Sequence, residues 1–231
     1  MDYKIEMHAH TSEVSACGKI PGAQMAQAYA FGGYKTLVIT DHIGADRFTT
    51  GRRSVEDRAE LFLVGWREAK KEGDKWGLNV LLGAEVRLIS GDEDYLVFGL
   101  APEQIAPLMA ILDQKPSIPA FCEKMHAWGM VVVQAHPFRP GHKLAPSGAI
   151  DGIEVYNGNA RHNSHNDDAR AYAEKEGLLM TSGSDAHEMM DLLRGGVISE
   201  NEIASNDELV AFLRANKQPR RIETLTGFLK K

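Results

Sequence analysis

The sequence predicts a single-domain α/β barrel, and three observations carry that expectation. Strand-like and helix-like segments alternate along the chain, the pattern of strands joined by covering helices. The central runs Leu37-Val38-Ile39 and Met130-Val131-Val132-Val133 are apolar without a break. Such runs belong to a mostly parallel sheet with both faces covered. The 231 residues fit one domain, which a barrel uses without splitting. No repeat, low-complexity stretch or linker interrupts them, so residues 1–231 read as one domain. A doubly wound open sheet is the alternative.

Each element follows from local pattern. Apolar, β-rich runs place strands at Ile5–His8, Thr36–Thr40, Val80–Val86, Tyr95–Leu100, Met130–Gln134, Gly152–Tyr156, Leu178–Ser182 and Gly196–Ser199. Apolar residues at helical spacing place helices at Gly22–Phe31, Val55–Glu72, Glu103–Leu112, Ala120–Trp128, Asn166–Glu176 and Asp207–Arg214. Gly32-Gly33, Gly129 and Gly177 stand where those helices stop. Ile43–Ser54 and Gly141–Gly148 are the longest polar connections and are candidates for substrate-facing loops.

Composition narrows the function. Hydrophobic residues make up 43% of the chain, enough for a sizeable core. A net charge of −6, without a basic stripe, argues against bulk nucleic-acid binding. The polar start Met1-Asp2-Tyr3-Lys4-Ile5-Glu6 does not read as a signal peptide, and no apolar run is long enough for a membrane span. Cys17 and Cys122 do not form a Cys-x-x-Cys pair, so a reducing cytoplasm is the expected setting.

Histidines and carboxylates recur at the C-terminal ends of the expected strands. The first strand ends in His8-Ala9-His10, whose imidazoles share a face two residues apart. Later ends read Thr40-Asp41-His42, Gly83-Ala84-Glu85, His136-Pro137 and Ser184-Asp185-Ala186-His187. In parallel β/α folds these ends meet at one rim, where active sites lie. A lone His there is usually a hydrogen-bonded structural residue, and Asp41 or Asp185 could cap a turn. Together, His8, His10, His42, Glu85, His136, Asp185 and His187 are the donor types that hold Zn²⁺, Mn²⁺ or Fe²⁺.

In this order and combination the motifs resemble those of the PHP (polymerase and histidinol phosphatase) family, from residue 4 to about residue 190. The resemblance implies a distorted TIM-like (β/α)7 barrel, two or three divalent ions and phosphoesterase activity. It assigns His8, His10, Glu85 and Asp185 to a first ion. Glu85 would bridge to a second ion that also takes His136, and His42 and His187 would hold a third. Two departures stand out. Leu96 occupies a place where three-ion relatives carry a His. Glu13, Ser15 and Cys17 occur where many carry His or Asp, so a third ion would draw on Glu13 or Cys17.

The reaction expected is hydrolysis of a small phosphate monoester or nucleotide by metal-bound hydroxide, with Glu85, Asp185 and His187 in catalytic roles. Asp41 would orient His42. Arg139 and Asn157 are the candidates for substrate contact, with a solvated loop and a turn as their plain readings. Arg47, Arg52, Arg53, His162 and His165 are weaker candidates, and Cys122 and His126 are assigned to packing or surface. The rivals are amidohydrolase-type C–N hydrolysis, disfavoured by the lack of an obvious strand-end Lys apart from Lys4 and Lys35, and a non-catalytic metal-binding module.

Overall fold

The computed structural model describes residues 2–44, 53–88 and 91–224. Its strands are β1 (Tyr3–Glu6), β2 (Tyr34–Ile39), β3 (His42–Gly44), β4 (Asn79–Arg87), β5 (Asp94–Phe98), β6 (Val131–Gln134), β7 (Gly152–Asn157), β8 (Leu179–Gly183), β9 (Val197–Ser199) and β10 (Arg220–Arg221). Its helices are α1 (Gly22–Phe31), α2 (Val55–Trp76), α3 (Ile105–Asp113), α4 (Ile118–Ala127), α5 (Asn166–Glu176) and α6 (Asn206–Ala215). The strands follow the order β10-β9-β1-β2-β4-β5-β6-β7-β8, with β3 set against β4.

The sheet curls into a nearly closed barrel. An isolated parallel bridge between Ala9 and Ala186 brings the extension of β1 against that of β8. Buried Glu6 reinforces this seam. Its Oε1 accepts from the backbone N–H groups of Met7, His8 and Ser184, and its Oε2 accepts from the hydroxyls of Tyr29 and Ser184. Here lies one boundary difference from the sequence expectation: β1 stops at Glu6 because that carboxylate takes the next two N–H groups. His8 and His10 thereby leave the β1–β2 ladder, pair their backbone with Ala186 instead, and stand at the rim.

The barrel is distorted because its strands do not all run one way. β5 is antiparallel to both β4 and β6, and β9 is antiparallel to β1 and β10. The chain from Leu88 to Glu93 is shorter than the dozen or so residues a parallel crossover needs, so β5 returns as an antiparallel neighbour. β3 and β10 are short additions that apolar patterning does not mark. α2 runs four residues further than expected, to Trp76, and stops where Gly77 adopts φ 66°.

Side chains alternate between an inner and an outer core. Ile5, Met7, Val38, Leu81, Leu96, Phe98, Val131 and Val133 pack together with no more than 6% exposure, filling the barrel beneath the rim. Tyr95 and Val97 of β5 face the covering helices and share a cluster with Phe62, Leu108 and Met125 of α2, α3 and α4. The α1–α2 corner is built on close backbone approach. A Cβ at Gly22 would stand 2.4 Å from the Gly65 carbonyl oxygen, and one at Gly65 would stand 1.9 Å from Thr11 Oγ1. Thr11 cannot yield freely, since its hydroxyl donates to Asp41 Oδ2 at 2.6 Å. Gly65→Ala is therefore expected to overpack this corner by about 1–3 kcal/mol. A thermal melt should show Tm falling by roughly 2–4 °C for each kcal/mol; an unchanged Tm would contradict the tight contact.

Candidate metal centre

The rim gathers the donors that the sequence scatters. His8, His10, Glu85, His136 and Asp185 are each no more than 3% exposed, and His42 is 8% exposed. Their ligand-type atoms form overlapping groups within 4.8 Å: His8 with His10 and Asp185, His8 with Glu85 and His136, and His10 with His42 and His187. A further group joins His42 and Glu85 to Asp94, a residue the sequence reading did not single out. Two of these donors sit on unusual backbone. His136 has φ 30° and Asp185 has φ 49°, and these turns swing the side chains inward directly after β6 and β8.

Hydrogen bonds around the cluster fix each ring. Glu154 Oε1 lies 2.9 Å from His8 Nδ1; a carboxylate only accepts, so Nδ1 carries a proton and Nε2 is the ring atom turned inward, towards Glu85 and Asp185. The other oxygen of Glu154 accepts from the His136 N–H at 3.0 Å and from Asn157 Nδ2 at 2.8 Å. Ser15 Oγ donates to Asp41 Oδ1 at 2.6 Å while receiving His10 Nδ1 at 3.3 Å and the His42 N–H at 3.0 Å. Asp41 thus reaches His10 and the backbone of His42 through Ser15. His187 Nδ1 donates to the Asp185 carbonyl at 2.8 Å, which leaves its Nε2 free to accept.

Arg139 and Asn157 belong to this scaffold. Arg139 donates to Asp185 Oδ2 at 2.5 Å, to Asn157 Oδ1 at 3.0 Å and to Ser164 Oγ at 3.3 Å. Asp185 Oδ1 stays turned towards His8 and His10 at 3.5 and 3.4 Å. Of the two candidates near residue 15, Glu13 accepts from the Gly22 N–H at the start of α1. Cys17 instead lies in hydrogen-bonding reach of His187 and His42, which pull its thiol down to about 6 against the opposing effect of burial. Cys122 is buried in the outer core, and His126 pairs with Asp151 at the surface. Arg53, His162 and His165 are exposed, while Arg47 and Arg52 lie outside the described residues.

The electrostatics favour a cation. Burial opposes ionisation of Glu85, yet His42 and His8 hold its carboxyl well below the usual range. Burial likewise works against Asp185, but His8 and Arg139 keep it well below its ordinary value. Burial works against His8 too, and Glu154, Glu85 and Asp185 raise it well above the usual value. Ionised carboxylates in this dry setting attract positive charge strongly.

The donors also fit divalent ions by geometry. Among the described residues, His8 Nε2, His10 Nε2, His42 Nδ1, Glu85 Oε2 and His136 Nδ1 are buried without a hydrogen-bond partner. Buried polar atoms are rarely orphaned unless a bound group completes them. His8 Nε2 stands 3.3 Å from Glu85 Oε1, and His10 Nε2 stands 3.3 Å from Glu85 Oε2. Ligands bound at about 2.1 Å in a tetrahedron are spaced by about 3.4 Å, so these separations suit atoms sharing an ion.

Residues 163–217 match the PHP-associated family. No curated protein matches the chain by sequence. Among solved structures, the chain is similar to a two-domain protein from Bacteroides vulgatus containing a predicted PHP-like metal-dependent phosphoesterase. That match has 15% identity and a TM-score of 0.69, and it covers 96% of this chain and 65% of that one. A protein from Bifidobacterium adolescentis proposed to be a metal-dependent phosphoesterase matches at 18% identity and a TM-score of 0.59, covering 91% of this chain and 95% of that one. An amidohydrolase from Chromobacterium violaceum, with bound sulfate and no metal, matches at 15% identity and a TM-score of 0.59, covering 91% and 96%. These similarities show the fold.

Glu154 supplies the sharpest test of the scaffold, because it touches His8 and His136 from behind without joining the cluster. Glu154→Gln should weaken metal binding by about 10–100-fold. Calorimetric titration of chelator-stripped protein with Zn²⁺ reads this directly, and wild-type affinity in the variant would show that the ring orientations do not depend on Glu154.

Proposed function

The chain is a PHP-like protein, and from that premise we propose that it is a metal-dependent phosphoesterase acting on a small phosphate monoester or nucleotide. The observation that carries the reading is the set of unpaired imidazole and carboxylate atoms turned inward at one rim. His8, His10, Glu85 and Asp185 would hold a first ion, and Glu85 with His136 a second. His42 and His187 would hold a third, with Cys17 beside them. Bound divalent ions would acidify water and neutralise charge growing on the phosphoryl oxygens.

The chain's own groups supply the rest. Arg139 keeps Asp185 Oδ1 aimed at His8 and His10 by holding Oδ2. Where no third ion engages it, His187 Nε2, with Nδ1–H anchored on the Asp185 carbonyl, can take a proton from attacking water or return it to the leaving oxygen. A cavity of about 1120 Å³ adjoins the rim, with Asn157, Asn159, Arg161, His162, Asp191 and Arg194 in its wall. It offers a leaving group room and hydrogen-bond donors. Asn157 lines this cavity, and with Arg139, which donates to it, remains our candidate for substrate contact.

C–N hydrolysis is the second reading, favoured by the fold shared with the Chromobacterium amidohydrolase. Two features favour phosphate. Lys4 stacks over the Tyr34 ring, and Lys35 bonds the Gly77 carbonyl, so neither serves the rim as a bridging ligand. Sulfate, which that relative binds, has the tetrahedral shape of phosphate.

The test is turnover by stripped protein reloaded with Mn²⁺, Zn²⁺ or Fe²⁺ on matched panels of phosphomonoesters and amides. We expect phosphate release that needs metal, and a loss of roughly 10²–10⁴-fold in kcat for His187→Ala. Glu85→Ala should abolish both ion binding and turnover. Amide cleavage alone would select the second reading, and full ion loading without turnover of either panel would select a non-catalytic module.

A further inference from the structure

The second ion position has a donor that neither the sequence pattern nor the family resemblance marks. Glu85 pairs across the sheet with Leu96, which is fully buried in the inner core and has no ligand atom. Side chains two apart on a strand share a face, so Asp94 stands on that same inner face, one step nearer the rim and opposite Arg87. Its side chain is 2% exposed. Asp94 Oδ2 lies 4.0 Å from His136 Nε2, and its carboxylate falls within 4.8 Å of donor atoms of Glu85 and His42.

Asp94 already has a partner. Arg87 Nε donates to Oδ1 at 2.7 Å and Arg87 NH2 to Oδ2 at 2.5 Å. The two sides of this pair differ in freedom, for the Arg87 side chain is 41% exposed while Asp94 is enclosed. A guanidinium with access to water can withdraw, but the carboxylate has only the rim to face. The His136 nitrogen that Asp94 approaches, Nε2, also faces Glu85 Oε1 at 3.1 Å, so the three side chains converge on one point.

We propose that Asp94 is a ligand of the second ion, supplying the donor that Leu96 cannot, and that Arg87 competes with the ion for its carboxylate. This rests on the metal-centre reading above. Glu85 and His136 then gain a third protein donor, an oxygen that suits Mn²⁺ or Fe²⁺ as well as Zn²⁺. Arg87 sets the affinity of that position: while it grips both oxygens the ion meets a neutralised carboxylate, and when it swings outward the ion meets a full negative charge.

Calorimetric titration of the stripped full chain with Mn²⁺, paired with elemental analysis and Mn²⁺ electron paramagnetic resonance, separates the roles. Asp94→Asn should weaken one class of ion about tenfold or more, remove the spin-coupled pair signal, and leave the tightest ion in place. Arg87→Gln should act in the opposite direction, tightening that same class. It keeps Asp94, so the prediction survives even if Asp94→Asn folds poorly, which circular dichroism would reveal. Unchanged stoichiometry and affinity in folded Asp94→Asn, or weaker binding in Arg87→Gln, would overturn the proposal and leave Asp94 as a partner of Arg87 alone. Wild-type protein that binds no ion would instead sink the metal-centre reading itself.

Discussion

Glu6 holds the seam on which the rest of the molecule depends. Among the described residues, an isolated Ala9–Ala186 bridge rather than a continuous ladder joins β1 to β8, so the barrel would gape there without another tie. A carboxylate in that gap accepts from both sides: from Met7 and His8 on the β1 side, and from the backbone and hydroxyl of Ser184 on the β8 side. Burial pushes its pKa up, while Ser184, His8 and Tyr29 work to keep the charge. The same bonds end the β1 ladder at the point where His8 and His10 must turn inward. Closure of the barrel and presentation of its first two donors are therefore one event. Ser184 then carries the tie onward, because its Oγ also accepts from the N–H groups of Arg194 and Gly195.

Charge at the rim is arranged in two rings. The outer carboxylates, Glu154 and Asp41, are saturated by hydrogen bonds and spend them on holding His8, His136 and the Ser15 hydroxyl in place. The inner carboxylates, Glu85 and Asp185, keep an oxygen or more facing the imidazoles. A buried carboxylate is costly unless compensated, so the two rings solve different problems. The outer ring sets direction, and the inner ring sets the sign of what is attracted. Asp94 belongs to both, with a guanidinium on one side and the cluster on the other.

The inner donors were legible in the sequence because strand ends converge by topology, and a His or Asp at such an end needs no detailed geometry to be noticed. The eight main strands and six helices were legible from periodicity for the same reason. Glu6 and Glu154 were not singled out, although each is an acid inside an otherwise apolar run, Lys4-Ile5-Glu6-Met7 and Gly152-Ile153-Glu154-Val155. That intrusion was the available signal, since a charge in a doubly covered strand must meet a partner. Asp94 was hidden by direction. Its place at the rim end of the strand depends on β5 running antiparallel, which only the short connection after β4 foretells. The separate roles of Glu13 and Cys17 turned on a loop whose path no periodic pattern describes.

His136 and Asp185 adopt left-handed backbone, and this has an evolutionary consequence. Few residue types other than Gly, Asn, Asp and His accept such a conformation readily. At these two rim positions the fold therefore narrows the alphabet before any ion is considered, and the permitted set happens to include both metal-binding and silent members. A lineage that drifted away from catalysis could exchange His136 or Asp185 for Asn or Gly with little strain, keeping the barrel while losing the centre. Branched replacements at the same places would damage both. An inactive descendant of this chain would thus carry its history as Asn or Gly after β6 and β8, above an otherwise intact core.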